Sequence, residues 1–405
     1  MKILVLDTIH GGIQIGSAFK MAGLDVDMVD VYRNSSVPDT DTARARSYDL
    51  VAAPVHLDPD HPLIRYQSAP VISHHEAVRM LLGNRAPHPF VEITGKQGKT
   101  TTATALASLM PGPGVLLSSR GIVRCPEQQT LARTSITPAS VLPAAQTAIH
   151  ESRWLIAEES LGVTGAGDLA ILTSGETYKI AAGKKDALKQ KLVSFRACRN
   201  VLLAPGISSD LQKAVRLEDV AVVNGSECRI TLEERNSGFT NCMLELDAYR
   251  VPLMLAGTAA AMLGIDPAGL DNFTGVEGRM SVSREGNLLV VDNANSGTNR
   301  ETTLAAAQYA REHTDSDSLA LVIGIETGDG RVCEGFSDEE IAAAIRQIRP
   351  SRLVLVGPVM SPPVFPPDIL AGTYIHRAPT LSEGRKAAMG ATETGSVVLA
   401  VKTWR

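Results

Sequence analysis

The chain has 405 residues, 44% of them hydrophobic and 20% charged, with a net charge of −5. That length suffices for two or three domains with buried cores, and the mildly acidic balance excludes a general affinity for nucleic acid or anionic membranes. No apolar run reaches the ~18 residues of a membrane span, and with 4% aromatic residues the chain lacks the material for base-stacking platforms.

The N-terminus, MKILVLDTIHGG, lacks the apolar core and cleavage site of a signal peptide and reads as a first strand. Five scattered cysteines (Cys125, Cys198, Cys228, Cys242 and Cys333) form no CxxC pair. A reducing, cytoplasmic setting is the expectation, without a disulfide frame or a cysteine metal site.

Residues 1–87 alternate short apolar strands with helical patterns. Lys2–Asp7 runs into the loop Asp7–Gly12 and a periodic helix, Ile13–Met21. Strands follow at Asp25–Val31 and Asp49–Val55, then Ala69–Ser73 and a helix over His74–Leu82. Alternation of this kind predicts a parallel, doubly wound sheet, and ligands of such sheets sit beyond the carboxyl ends of the strands. The loops His10–Gly12 and Pro54–Pro62 lie at such ends. Six of the nine histidines fall in residues 1–88: His10, His56, His61, His74, His75 and His88. They suit either a carboxylate-rich ligand, metal coordination, or ordinary surface and capping roles. No HxH or HExxH spacing occurs, so carboxylate recognition by His10, Gly11, Gly12 and His56 is preferred. Arg85–Pro89 reads as a linker.

The most specific stretch is FVEITGKQGKTTTATALASLM, residues 90–110. It predicts a buried strand Phe90–Thr94, a tight turn Gly95–Gly98 and a helix from Lys99. Glycines let backbone N–H groups close on a phosphate, and the helix start adds free N–H groups and the positive end of its dipole. Gly95, Lys96, Gln97, Gly98, Lys99, Thr100 and Thr101 are the expected nucleotide contacts. Lys99 supplies a charge for the phosphates, and the Thr100 hydroxyl is placed to ligate Mg²⁺. The general Walker spacing wants a glycine where Ile93 stands, so the match is to a shorter form, TGxxGKTTT.

A strand over Gly114–Ser119 and a helix from Thr137-Pro138 precede the strand Arg153–Ser160, whose end carries Glu158 and Glu159. Carboxylates at a strand end beside a phosphate loop suit Mg²⁺, and alternation along a strand turns the two to opposite sides. Strands at Asp168–Ser174 and Asn200–Ala204 flank an expected helix over Ile180–Phe195. Val220–Leu246 reads as short β-runs with a turn at Asn236–Gly238, followed by a helix over Arg250–Gly264. In the last third, strands are expected at Leu288–Asp292, Ser318–Ile323, Leu353–Gly357 and Ser396–Val401, with helices Asp338–Ile348 and Leu381–Met389 between them.

From Phe90 to Val401 the order of these motifs resembles the Mur ligase superfamily, three-domain enzymes that activate a carboxylate as an acyl phosphate. The resemblance implies an α/β, three-domain fold: a Rossmann-like N-terminal domain (1–87), a central P-loop ATPase domain (88–276) and a Rossmann-like C-terminal domain closing on the nucleotide (277–405). It implies ATP and Mg²⁺ as cofactors. Glu158, two residues before Ser160, matches the metal-ligand glutamate. Arg279, in GVEGRM, matches the hinge arginine that reaches the nucleotide phosphates. Asp292 and Asn295, in DNANSGTN, match the acid and its neighbour at the nucleotide. Lys99, Glu158 and Arg279 are thereby the implied catalytic residues. Lys191 best matches a lysine that some members carbamylate.

The chain also departs from the family. Thr173–Tyr178 lacks the usual Asp-His metal ligand unless Glu176 substitutes. The helix near Arg250 lacks the asparagines that hold adenine, Glu326–Phe336 replaces a GGxxK loop, and the chain ends at VKTWR. With LDTIHGG, HLDPDHP, ISHHEAV and VCEGF, these features resemble a branch of Mur-like enzymes serving coenzyme F(430) biosynthesis in methanogenic archaea. That branch implies a nickel tetrapyrrole as substrate. One of its propionates would be phosphorylated and then attacked by a carbon of the same molecule to close a ring. An amide-forming ligase and a non-catalytic, ATP-dependent tetrapyrrole carrier remain open beside this reading.

Overall fold

Short runs of Val, Ile, Leu and Ala cannot be solvated and pair into sheets that helices cover. The computed structural model describes residues 1–33, 36, 38–212, 214–326, 336–357 and 374–403, and these form two compact units, Met1–Phe273 and Thr274–Arg405.

The first unit begins with a four-stranded parallel sheet in the order Asp25–Val29, Lys2–Leu6, Leu50–Ala53, Val71–Ser73. An eight-stranded sheet follows, in the order Ala214–Arg216, Val201–Leu203, Leu169–Leu172, Phe90–Thr94, Trp154–Glu158, Gly114–Ser118, Gly121–Cys125, Gln129–Ala132. Its first six strands run parallel, and Gly121–Cys125 runs antiparallel to both of its neighbours. The strand Phe90–Thr94 lies in the middle, with all five residues buried. One hydrophobic cluster joins Ile3, Val5, Ile15, Phe19 and Ala77 to Phe90, Val115, Val141, Leu155 and Ala157. A separate cluster, with Leu4, Leu6, Val51 and Leu63, covers the other face of the four-stranded sheet. Residues 1–87 therefore share a core with the larger sheet.

The second unit is a six-stranded sheet in the order Ser281–Glu285, Leu288–Asp292, Gly395–Lys402, Leu319–Ile325, Arg352–Val356, Tyr374–Ala378. Only its first pair is antiparallel. Its core is built from Val290, Val322, Val354, Val397 and Leu399. Among the described residues no helix is long and apolar enough to cross a membrane.

The expected strand–turn–helix at 90–110 and the helices His74–Leu82 and Asp338–Ile348 occur with the expected limits or starts. Three expectations need correction. The helix read from Ile180 starts at Ala187; before it stands a two-stranded hairpin, Lys179–Ile180 with Lys185–Asp186. Ala181, Ala182 and Gly183 all have positive φ, which breaks a helix, and the Asp186 side chain caps the new one by accepting from Lys189 N–H. The turn read at Asn236–Gly238 lies at Glu233-Glu234, where Leu232 pairs with Arg235. Gly238 is inside the strand, where a Cβ would fall 2.4 Å from the Cys228 carbonyl oxygen. The strands Gly121–Cys125, Gln129–Ala132 and Ser281–Glu285 were not anticipated; each is an edge or antiparallel addition with weak apolar alternation. Residues 327–335 of the loop that replaces GGxxK, Cys333 included, and Trp404 and Arg405 lie outside the described residues.

Two substitutions test where this hairpin turns. Gly238→Val should lower stability by about 1–3 kcal/mol through backbone overpacking. Glu233→Gly, at a φ of 53°, should leave stability unchanged or raise it, because glycine removes the left-handed strain. Urea midpoints of the two variants decide it, and the reverse order would put the turn at Asn236–Gly238.

Candidate active site

The loop Gly95–Gly98 leaves the central strand at its carboxyl end and enters the helix Lys99–Leu109. Gly95 and Gly98 have φ of 154° and 82°. A Cβ on Gly95 would lie 2.1 Å from Thr173 Oγ1, so only glycine lets the loop pass this close to the neighbouring strand end. Thr173 Oγ1 donates to the carbonyls of Thr94 (3.2 Å) and Gln97 (2.5 Å). Ser174 Oγ accepts the N–H groups of Lys96 (3.0 Å) and Gln97 (3.4 Å). Lys99 Nζ donates to the carbonyls of Gly95 (2.9 Å) and Lys96 (3.4 Å). Gln97 Nε2 donates to Glu176 Oε1 at 2.6 Å, which brings Glu176 to the loop. Thr173, Ser174 and Ser119 are site residues that the sequence reading did not select; their only signal was adjacency to strand ends.

Thr100 and Glu158 meet because Ile93 pairs with Glu158 in the sheet. Thr100 Oγ1 donates to Glu158 Oε2 at 3.1 Å and lies 3.3 Å from Ser119 Oγ. Both Thr100 and Glu158 are buried. A hydroxyl and a carboxylate at a phosphate loop form an oxygen-only donor set, which fits a hard cation such as Mg²⁺. Thr101 is buried in the same first turn.

Glu159 turns the other way. It is fully buried beside Glu92 and 4.0 Å from His75 Nε2. Burial, and then the charge of Glu92, push its carboxyl well above the ordinary range. Glu92 Oε1 accepts from the N–H groups of Thr164 (2.7 Å) and Gly165 (3.0 Å) and the Thr164 hydroxyl (2.5 Å), and Oε2 from Gly167 N–H (2.9 Å). His75, pulled down to about 3 by burial, is neutral, and its Nε2 lies 3.0 Å from the Ser160 carbonyl oxygen. The Glu158–Ser160 corner is thus pinned from both sides.

Lys191 is buried, with Nζ 5.3 Å from the centre of the Tyr178 ring and no hydrogen bond among the described residues. Burial and then the charge of Lys99 lower its amine to about 8.

A second constellation stands at the carboxyl ends of the four-stranded sheet. Asp7 is buried, with φ at 71°. Its Oδ1 accepts the N–H groups of Ile9 (2.9 Å) and His10 (3.0 Å). Its Oδ2 lies 2.7 Å from His10 Nδ1 and 3.5 Å from His56 Nε2. Burial pushes the Asp7 carboxyl up, but the bonds from His10 and His56 outweigh it and hold it below the usual range. His10 is raised by its bond to Asp7. Tyr32 stacks on His56 and meets the His10 ring edge-on. Gly11 (φ 107°) and Gly12 are required by contact: a Cβ on Gly11 would lie 2.5 Å from Ala139 Cβ, and one on Gly12 would lie 2.2 Å from the Asp7 carbonyl oxygen. Asp7 and Tyr32 were passed over in the sequence because only the fold brings three strand ends together.

Within the second unit, Asp292 Oδ1 accepts Ala294 N–H at 3.0 Å. Asn295 Nδ2 donates to the Gly278 carbonyl at 2.6 Å, and its Oδ1 accepts Gly297 N–H at 2.7 Å. Asn295 therefore ties its own loop to the residue before Arg279.

Known proteins resemble this chain in sequence and in fold. Residues 282–403 match the family model described as "Coenzyme F430 synthetase CfbE, C-terminal domain". The coenzyme F(430) synthetase of Methanosarcina acetivorans is 29% identical over 479 aligned positions, covering 100% of this chain and 99% of the relative. Among solved structures, E. coli FolC in complex with ADP has a TM-score of 0.59 at 14% identity, covering 82% of this chain and 90% of that one. A UDP-N-acetylmuramoyl-L-alanyl-D-glutamate–2,6-diaminopimelate ligase has a TM-score of 0.51 at 15% identity, covering 89% and 88%. The chain thus has the Mur ligase-like α/β fold and resembles the coenzyme F(430) synthetases.

The Lys191 environment carries a stability signature. A base lowered from 10.5 to about 8 on folding costs stability in full below about pH 8, and the cost fades as pH rises toward 10.5. Lys191→Met should therefore raise the thermal midpoint at pH 7 and gain less at pH 9.5. Equal gains at both pH values would show that the ammonium is not penalised.

Proposed function

We propose that this protein is an ATP-dependent ligase that activates a propionate carboxylate of a nickel seco-tetrapyrrole as an acyl phosphate, then closes a carbocyclic ring by intramolecular C–C bond formation. The observation that carries the reading is the Gly95–Lys99 loop with the buried Thr100–Glu158 pair, in a chain similar over its full length to a coenzyme F(430) synthetase.

A carboxylate is a poor electrophile, because its charge repels nucleophiles and its oxygen leaves badly. Transfer of the γ-phosphoryl group to it releases ADP and creates a good leaving group. A carbon of the same molecule then loses its proton and attacks the carbonyl carbon; the C–O bond breaks and phosphate departs. Loop N–H groups at Gly95–Gly98 and the helix N-terminus orient the phosphates. Lys99 Nζ, now on two carbonyls of its own loop, exchanges them for phosphate oxygens and offsets their charge. Thr100 and Glu158 would hold Mg²⁺, which supplies charge neutralisation when bound. The roles that the resemblance implies for Arg279, Asp292 and Asn295 stay part of the proposal. So do the three-domain division at 87/88 and 276/277, the cytoplasmic setting, and carboxylate recognition by His10, Gly11, Gly12 and His56.

A second reading, an amide ligase, is favoured by the fold shared with the diaminopimelate ligase. One experiment separates the two: anaerobic incubation with ATP, Mg²⁺ and the nickel seco-tetrapyrrole, without amine, followed by mass spectrometry. Loss of one water matched by one ADP and one phosphate is expected. Turnover only after amine addition would establish the amide ligase instead.

Variants test the parts. Lys99→Ala should reduce ADP formation by about 10²–10³-fold, the scale of losing one preorganised electrostatic contact, with tetrapyrrole binding retained. Glu158→Gln should shift the Mg²⁺ titration to higher concentrations; an unshifted titration would remove Glu158 from the metal site.

A further inference from the structure

The cluster Asp7–His10–His56 is a built site that the phosphoryl-transfer chemistry does not use. Its three donor atoms, one carboxylate oxygen and two imidazole nitrogens, all lie within 4.8 Å of one another. Asp7 and His10 share the loop after the first strand, and His56 comes from the loop after Leu50–Ala53, so the fold and not chain proximity brings in the third donor.

The carboxylate is divided by task. Oδ1 is held by two backbone N–H groups, and Oδ2 faces both imidazoles, at 2.7 Å and 3.5 Å. Backbone bonds on the non-ligating oxygen are the kind of outer support that fixes a metal ligand. Asp7 has no exposed side-chain surface, whereas those of His10 and His56 are 47% and 29% exposed. The site is therefore anchored at its base and open at its mouth. Tyr32 stacks on the His56 ring, and the His10 ring stands at 89° to that of His56, which fixes both planes. Donors bound at about 2.0–2.2 Å to one ion stand roughly 3–3.5 Å apart. The two observed O–N separations, 2.7 Å and 3.5 Å, lie close to that range.

We propose that Asp7 Oδ2, His10 Nδ1 and His56 Nε2 bind one free divalent transition-metal ion, with zinc or nickel as the class that an N₂O donor set selects. Two imidazoles disfavour Mg²⁺ and Ca²⁺, which prefer oxygen ligands. Three converging donors also disfavour a nickel already inside a tetrapyrrole, because the macrocycle leaves only two positions, on opposite faces. The remaining coordination positions face the open mouth. A carboxylate could take one there, which would give this end of the sheet an anchor for an acidic ligand.

The test is equilibrium dialysis of the tag-free, full-length protein against Zn²⁺ and, separately, Ni²⁺, with metal content measured by mass spectrometry. Co²⁺ binding followed by visible absorption reports the ligand geometry. One ion per chain is expected. The conservative variants Asp7→Asn, His10→Gln and His56→Gln should each weaken binding by at least about tenfold, the lower end of what even an outer-shell loss costs. Should Asp7→Asn fail to fold, the two histidine variants, altered at more exposed positions, decide the matter. Thermal midpoints confirm that they are folded. Metal binding equal to wild type in both histidine variants, or no stoichiometric ion in the wild type at micromolar metal, would overturn the site. The probe is the ion alone, so the outcome does not depend on the ATP-dependent reading.

Discussion

Glu92 is a carboxylate in the middle of a parallel sheet, and four donors from the single loop Thr164–Gly167 hold it there. A charge buried this deeply survives only with such saturation. The charge of Glu92 adds to burial in raising the carboxyl of its neighbour Glu159, one strand away. The corner of the strand is therefore asymmetric. One acid faces the helix with Thr100 as a polar partner, and the next faces inward, fully buried. A strand end carrying two adjacent glutamates would otherwise repel itself at the point where the phosphate loop needs a fixed wall.

The shared core between residues 1–87 and the larger sheet has a related effect. Ala139 packs on the backbone at Gly11, and His75 lies against Ser160. The Asp7–His10–His56 cluster and the Glu158–Ser160 corner thus belong to one packed unit. Lys184 adds ion pairs to Asp58 and Asp60, and Lys185 a bond to the Val55 carbonyl. The hairpin carrying those lysines leads into the helix that holds Lys191 beside Tyr178.

Much of this was legible in the sequence where signal and structure share a length scale. The stretch Phe90–Leu109 is a strand with two buried faces followed by glycines and an Ala/Leu-containing helix, and the order of these signals agrees with the fold. Leu288–Asp292 and His74–Leu82, the latter capped by Ser73 and Glu76, are similar cases. The lysine-rich segment before Ala187 misled because Ala and Lys favour helix intrinsically. Tertiary contacts of Lys184 and Lys185 turn it into a hairpin. Gly238 misled because glycine marks turns and also marks close backbone approach, and only the neighbouring strand tells which applies. Asp7 and Tyr32 were invisible as site residues because His56, which meets both, lies tens of residues away from Asp7 and from Tyr32 in the chain.

The phosphate loop has a thermodynamic consequence of its own. Lys96 and Gln97 N–H already rest on the Ser174 hydroxyl, and the Lys99 ammonium rests on two carbonyls. A phosphate entering the loop, as the proposed function has it, would replace bonds that exist. Such an exchange contributes little net free energy from bonding as such. What discriminates the phosphate from its internal stand-ins is formal charge. The loop is in effect its own weak competitor, and a neutral guest, which brings no charge to the exchange, would gain little there.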